Sequence, residues 1–192
     1  MRQKAYICHI QSNSNMANKY ANEKFLTTND DLESILSHCD TCFRVTHEAK
    51  YILYSHNLPD VKLNKPQSKL AIIVNEQDSN NPLVGHWVVI LLEKKSNQCL
   101  VVNPLANSKE DTISHINQFC HINNMSPVYF SAPFQNPSSK TCGYLCLYIL
   151  YCFAHSNINA IWKMRGSILS TPIRLIEPRM MHRVAKHFKI NI

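Results

Sequence analysis

The sequence predicts an α+β fold, in which a central mixed or antiparallel sheet packs against separate helices. Three apolar, β-branched segments lie close together, at residues 70–74, 87–92 and 99–102. A longer segment, residues 142–154, is apolar nearly all round and predicts a buried helix. The regular strand–helix alternation of a parallel α/β fold is missing, which favours α+β.

The strands are predicted from their apolar pattern. Both faces of the three segments are apolar, which is typical of strands covered on both sides. The polar residues 93–98 predict a hairpin between the second and third strands, so these two should pair antiparallel. A fourth strand is predicted at residues 127–131.

The helices are predicted from capping signals and spacing. Thr28 and Asn29 precede apolar residues at helical spacing and should begin a first helix. Ser108 is expected to open a capping box and start a second helix. Residues 55–69, interrupted by two prolines, are predicted to be a loop. Residues 156–177 are expected to be mostly loop, and Pro178 should begin a last amphipathic helix.

Composition limits the classes of protein. Hydrophobic residues make up 45 % and charged residues 17 %, as in a globular domain. No repeat or linker divides the chain, so residues 1–192 are expected to form one domain, with residues 1–27 as a variable arm. Only 3 glycines are present, which excludes glycine-rich phosphate-binding loops. The longest apolar segments fall short of the ~20 residues of a membrane helix, so we expect an intracellular protein without a membrane partner.

Charge and cysteine content suggest partners and redox state. The net charge of +7 favours polyanions, and nucleic acid is the obvious candidate, although a solvated basic surface explains it equally well. The 8 cysteines are expected to be reduced thiols. Cys39 and Cys42 have the CxxC spacing of zinc or redox sites, but no second pair completes a metal site, so we expect packed thiols and no metal.

Cys142 is the candidate nucleophile because it stands where a polar turn meets the buried helix. The unpaired amides and the dipole of a helix N-terminus stabilise an anion, which should lower the pKa of the thiol. Gly143 leaves room for a substrate and lets its backbone amide face an oxyanion. A buried structural thiol is the alternative.

His86 is the candidate base, since it opens an apolar strand after a turn at residues 80–82 and should project into a cleft. Trp87 beside it would shield the site from water. Asn103 ends the neighbouring strand, so antiparallel pairing should bring it next to His86, where its side chain can orient the imidazole. Gln135 is a neutral donor on a polar loop and can stabilise an oxyanion. Each residue alone also fits a structural role.

Taken together, the ordered motifs His-Trp, Asn-Pro-Leu and Gln-x6-Cys-Gly resemble the adenovirus-type maturation protease (adenain) and, more distantly, the ubiquitin-like-protein proteases. The resemblance covers roughly residues 30–153. It implies that Cys142 is the nucleophile, His86 the base, Asn103 the orienting residue and Gln135 the oxyanion donor. The family usually has a carboxylate where this chain has Asn103, so the imidazolium should be less stabilised here.

The resemblance also implies a biological setting. Its members process viral capsid or core precursors at glycine-containing sites, so we expect a monomeric enzyme of the virion or of the host nucleus or cytoplasm. They require no cofactor, but DNA and a short peptide are candidate activators. Cys120 lies roughly where the peptide-binding cysteine is found, without an assignable match. Two alternatives stay open: a deubiquitinating or deSUMOylating protease of the same fold, and a non-catalytic nucleic-acid-binding protein.

Overall fold

The computed structural model describes Phe25 and residues 27–48, 50–63, 68–76, 85–93 and 97–192. It has the predicted α+β architecture: a five-stranded mixed sheet in the order β1-β2-β3-β4-β5, with helices on both faces. The strands are β1 (Ile52–Tyr54), β2 (Lys69–Asn75), β3 (Trp87–Glu93), β4 (Gln98–Val102) and β5 (Ser126–Phe130). The helices are α1 (Asn29–Leu36), α2 (Asp40–Val45), α3 (Glu110–Ile122), α4 (Cys142–His155), α5 (Ile158–Leu169) and α6 (Ile173–Phe188), with a 3-10 helix at Ser55–Asp60.

The sheet register brings three strand ends to one edge. Strands β2, β3 and β4 pair antiparallel, whereas β1 and β5 run parallel to their neighbours. Val89 pairs with Val102, and Asn75 pairs with Trp87. The residues just beyond these pairs, Glu76, His86 and Asn103, therefore lie at the same edge of the sheet.

The sheet is buried on both faces, as its apolar pattern predicted. Successive strand residues point to opposite sides. Val89 and Leu91 of β3 join the core that contains α4, whereas Val88 and Ile90 join the core that contains α3. Each such side chain is fully buried and contributes ~1.5–3 kcal/mol relative to exposure. Both cores therefore hold β3 rigidly.

Helix α4 is anchored at both ends. Near its start, the Cys146 thiol donates a hydrogen bond to the backbone oxygen of Trp87 at 3.3 Å. At its end, the Lys69 ammonium donates to the carbonyls of Phe153 and Ala154, each at 3.1 Å, which also places a positive charge at the negative end of the helix dipole. The helix that begins with Cys142 is thus fixed against β2 and β3.

Two predictions for the C-terminal third are wrong. Most of residues 156–177 are helical, since α5 occupies Ile158–Leu169 and α6 begins at Ile173. The Asn157 side chain caps the start of α5 by accepting a hydrogen bond from the Ala160 amide at 3.0 Å. Pro178 lies inside α6 and does not begin it; the helix starts at Ile173, after Pro172. Met181, Val184 and Phe188 of α6 are buried, which agrees with the predicted amphipathic character of this helix.

Smaller differences concern local elements. The predicted first helix begins at Asn29 with a Thr28 capping box. The predicted loop at residues 55–69 contains the 3-10 helix, and β1, which the sequence did not predict, precedes it. Helix α3 begins after Lys109 without a side-chain cap, so Ser108 does not cap it.

Some predicted segments lie outside the described residues: the turn at 80–82, residues 94–96 of the hairpin and most of the arm. Of the arm, Phe25 is buried and packs edge-on against Tyr144. Within the described ranges, no helix is long and apolar enough to cross a membrane.

Candidate active site

His86 and Asn103 are in contact, as the predicted strand pairing required. The distance between His86 Nε2 and Asn103 Oδ1 is 2.8 Å. Asn103 is 4 % exposed and follows β4, while His86 precedes β3. The antiparallel register of β3 and β4 therefore produces this contact from residues that are distant in the sequence.

The Asn103 amide has a fixed orientation. Its Nδ2 donates to the Asn107 carbonyl at 2.8 Å and to Ser108 Oγ at 2.9 Å, and its Oδ1 also accepts from the Leu105 amide at 2.8 Å. Oδ1 can only accept, so His86 Nε2 must carry the proton in this contact. In a neutral imidazole this leaves Nδ1 as the basic nitrogen.

Cys142 lies at the start of α4, beside the strand that follows His86. Cys142 is 6 % exposed, and the backbone amides of Trp87, Gly143 and Cys142 itself lie close enough to stabilise its thiolate. Trp87 is the neighbour of His86 in the chain. The start of α4 and the start of β3 therefore meet at one place.

The predicted fall in the pKa of the Cys142 thiol is wrong. Burial raises this pKa, and the Glu76 carboxylate raises it further, while the three backbone amides lower it by less. For His86, burial lowers the pKa, the Asn103 hydrogen bond raises it, and the Lys109 charge lowers it. Both directions favour the uncharged form, so we expect a neutral thiol and a neutral imidazole at rest.

Gln135 is held on a loop next to Asn103. Its backbone amide donates to the carbonyl of Pro104 at 3.1 Å, and Pro104 directly follows Asn103. Gln135 is 2 % exposed, and its side-chain Nε2 donates to the Ser139 carbonyl at 3.1 Å. An amide nitrogen has two hydrogens, so a second N–H remains for another acceptor.

The loop from Gln135 to Cys142 is tied down by a buried carboxyl group on α6. Glu177, which is 3 % exposed, accepts hydrogen bonds from the Ser139 and Thr141 hydroxyls and from the Asn136 amide at 3.0 Å. Thr141 immediately precedes the candidate nucleophile. Glu177 therefore fixes the segment that carries both Gln135 and Cys142.

Trp87 and Gly143 lie differently from what their predicted roles suggest. Trp87 is 1 % exposed, and its indole Nε1 donates to the Thr27 carbonyl at 3.1 Å, so the ring belongs to the core. A Cβ at Gly143 would lie 2.0 Å from Thr27 Oγ1. The space above Gly143 is therefore filled by Thr27, and Trp87 contributes its backbone amide to the site.

The remaining cysteines of interest lie apart from the site. Cys39 and Cys42 are neighbours, with 3.0 Å between their sulfur atoms, at the start of α2. Cys120 is buried in the core on the α3 side of the sheet, opposite the core that contains Cys142. Among the residues that the structure describes, no group of three or more His, Cys, Asp or Glu side chains is arranged to hold a metal ion.

Three contributors to the site were missed in the sequence: Glu76, Ser108 and Glu177. A signal existed for Glu76, because it follows the apolar segment 70–74 that pairs with the strand after His86. Ser108 was assigned to a helix cap, and no local pattern distinguishes Glu177 from an exposed helix residue.

Comparison with known proteins gives structural likeness alone. No protein-family model matches the chain, and no curated protein matches it in sequence. It is similar in structure to the SUMO protease Ulp1 with its catalytic cysteine oxidised to a sulfinic acid, at 14 % identity and a TM-score of 0.43, covering 90 % of this chain and 87 % of that one. The sulfonic acid form of Ulp1 is similar at 11 % identity and a TM-score of 0.39, covering 88 % of this chain and 81 % of that one.

Proposed function

We propose that this chain is a cysteine endopeptidase. The observation that carries the proposal is the 2.8 Å contact of His86 Nε2 with an Asn103 amide of fixed orientation. The thiol of Cys142, at a helix start, lies beside the backbone amide of Trp87, the residue that follows His86. Such an arrangement gives a nucleophile, a base and a group that orients the base. Cys142 is the nucleophile, His86 the base, Asn103 the orienting residue and Gln135 the oxyanion donor.

The reaction begins with transfer of the Cys142 thiol proton to His86 Nδ1 as the sulfur attacks the substrate carbonyl. The backbone amide at the start of α4 and the second N–H of Gln135 stabilise the resulting oxyanion, an effect worth ~3 kcal/mol per donor. The C–N bond then breaks, and His86 gives its proton to the leaving amine. Water, activated by His86, hydrolyses the thioester and frees Cys142.

Deep burial of the site supports a preference for glycine beside the cut bond. Cys142 and Gln135 are almost inaccessible, and Thr27 covers Gly143. A glycine lacks a Cβ and passes through a narrow approach more easily than other residues. We expect at least one glycine in the two positions before the cut, and a softer apolar preference further upstream.

Viral capsid or core precursors are the substrates we propose, with action in the virion or in the infected cell. The net charge of +7 and the surface of α6 support DNA as an activator. Arg179, Arg183 and Lys186 are at least partly exposed at helical spacing on this helix, whereas its one acidic residue, Glu177, is buried. A short peptide is a second candidate activator.

The decisive experiment compares Cys142→Ala with Cys146→Ala. Both cysteines lie in α4 and are buried, so the second variant controls for loss of packing. Cleavage of a peptide library, mapped by mass spectrometry with and without DNA, should vanish in the first variant and persist in the second. Equal cleavage by Cys142→Ala and the wild type would refute the mechanism.

Cleavage of ubiquitin-like substrates and a DNA-binding measurement separate the alternative functions. Hydrolysis confined to substrates that carry a ubiquitin-like C-terminal tail would favour a deubiquitinating or deSUMOylating enzyme. DNA binding by a wild-type chain that cleaves neither kind of substrate would favour a nucleic-acid-binding protein. Cuts after bulky or charged residues, with no glycine nearby, would contradict the proposed specificity.

A further inference from the structure

A buried carboxyl group lies close to the neutral residue that orients His86. Glu76 follows β2 and is 3 % exposed, and its backbone amide donates to the His86 carbonyl at 2.7 Å. Among the described residues, its Oε1 has no hydrogen-bond partner. A buried carboxyl group without full pairing is costly, so its place beside the site calls for a role.

Ser108 connects Glu76 to the site. Its hydroxyl lies close enough to the Glu76 carboxylate to stabilise the ionised form, as does the Lys109 amide. The same hydroxyl oxygen accepts from Asn103 Nδ2 at 2.9 Å, and Asn103 Oδ1 contacts His86 Nε2. The hydrogen bonds therefore share one direction: His86 donates to Asn103, Asn103 donates to Ser108, and Ser108 donates to Glu76. Aligned hydrogen bonds of this kind polarise one another.

We propose that Glu76 is a positioning residue that stabilises protonated His86 through Ser108 and Asn103. It supplies, at a distance, the negative charge that Asn103 lacks. This proposal rests on the proposed peptidase function, because it assigns a role within the same site.

The charges balance although no proton moves along the hydrogen bonds that join His86 to Glu76. When Cys142 attacks, its S–H bond breaks and an N–H bond forms at His86 Nδ1. The imidazole becomes positive while Glu76 stays ionised, so the intervening hydrogen bonds shorten and no proton leaves His86 Nε2.

Several charged groups face Glu76. Burial raises the pKa of Glu76 to about 7, while Ser108 and the Lys109 charge and backbone lower it. Its negative charge raises the pKa of the Cys142 and Cys146 thiols. Above about pH 7, Glu76 is ionised and supports His86; below it, the carboxyl group is neutral and the support is lost.

The first test is a cycle of Glu76→Gln and Asn103→Asp, measured as kcat/KM against pH. In the wild type, kcat/KM should fall as pH drops through about 7. Glu76→Gln should lower kcat/KM about tenfold above this range, and its own acid limb should move below the ordinary His pKa of ~6.5. In the Asn103→Asp background, Glu76→Gln should cost less than about threefold, because a carboxylate then contacts His86 directly.

A second readout needs no substrate. Alkylation of Cys142 by iodoacetamide, followed by peptide mass spectrometry, should be faster in Glu76→Gln than in the wild type above the pH range where Glu76 titrates, because the Glu76 charge raises the pKa of the resting thiol. Faster alkylation together with slower peptide cleavage would place the effect of Glu76 on the imidazolium that forms during attack, whereas slower alkylation would show that Glu76 activates the resting thiol and would overturn the proposal. A wild type that cleaves no peptide would refute the proposed function, whereas cleavage that Glu76→Gln leaves unchanged would refute only the role of Glu76.

Controls exclude a merely structural effect. Ser108→Ala should reproduce Glu76→Gln, and Ser108→Thr, which keeps the hydroxyl, should restore activity. Glu110→Gln makes the same chemical change at an exposed position and should match the wild type. If Glu76→Gln fails to fold, the comparison of Ser108→Ala with Ser108→Thr still tests the proposal. Equal losses from Glu76→Gln with and without Asn103→Asp, or equal activity of both Ser108 variants, would overturn the proposal.

Discussion

Replacing Glu177 tests how far the site depends on one buried carboxyl group. Its oxygens accept hydrogen bonds from the Ser139 and Thr141 hydroxyls and the Asn136 amide. Glu177→Ala removes all of these acceptors. Glu177→Gln keeps the shape and one carbonyl oxygen, which makes it the matched control.

The size of the effect follows from the donors left behind. Ser139 Oγ and Thr141 Oγ1 lie 3.0 Å apart, so one hydroxyl can donate to the other after the substitution. One hydroxyl hydrogen and the Asn136 amide then lose their partner. An unpaired buried donor costs ~1–3 kcal/mol, and the Asn136 amide costs less because it is only partly buried, so Glu177→Ala should lower the free energy of unfolding by about 3 kcal/mol. Glu177→Gln should lose only about 1 kcal/mol, because a hydroxyl can accept from its new amide.

Urea unfolding measures these free energies, and kcat/KM at a temperature where both variants stay folded measures the site. Glu177→Ala should also lose activity, since the segment it releases carries Gln135 and ends at Cys142. A free energy of unfolding within ~0.5 kcal/mol of the wild type, the range of neutral surface changes, would refute the reasoning. Equal losses in both variants would show that the carboxylate with its two accepting oxygens is required, because Glu177→Gln already keeps the shape of the side chain.

Two further predictions concern the cover of the site and the basic surface. Gly143→Ala should lower both the melting temperature and kcat/KM, because its Cβ would lie 2.0 Å from Thr27 Oγ1; Thr27→Ala in the same chain should restore both, and no rescue would contradict the steric argument. DNA affinity, measured by fluorescence anisotropy, should fall as the salt concentration rises. A plot of log affinity against log salt concentration should have a slope of ~0.9 per neutralised phosphate, and the double variant with Arg179→Gln and Lys186→Gln should have a shallower slope. An affinity that salt does not change would show that the basic residues only keep the surface solvated.

Much of the fold was predictable because the central strands are apolar on both faces. That pattern located β2, β3 and β4, and the polar turn between the last two fixed their antiparallel pairing. The contact of His86 with Asn103 followed from this register alone. Helix α5 was not predicted, because Asn157 is a polar residue of the kind that is common in loops. Only the structure shows that its side chain caps a helix.

The residues that support the site were less predictable, because they contact segments that are distant in the sequence. Glu177 is separated from Ser139 by 38 residues, and nothing near it in the sequence indicates burial. The wrong direction for the pKa of the Cys142 thiol has a similar cause. A helix start is a local feature that the sequence reveals, whereas the depth of burial depends on the whole core.

The neutral resting state of Cys142 and His86 gives a last prediction. Burial raises the pKa of the thiol and lowers that of the imidazole, so near neutral pH the proton stays on sulfur. Only the thiolate reacts with iodoacetamide, so Cys142 should be alkylated more slowly than an unhindered free thiol, and its rate should rise with pH without an acidic plateau. A plateau that disappears in His86→Ala would reveal a preformed thiolate–imidazolium pair and contradict this reasoning. With a neutral pair, the charges arise during attack, and the groups that stabilise them, at the start of α4 and beside His86, favour the transition state over the resting enzyme.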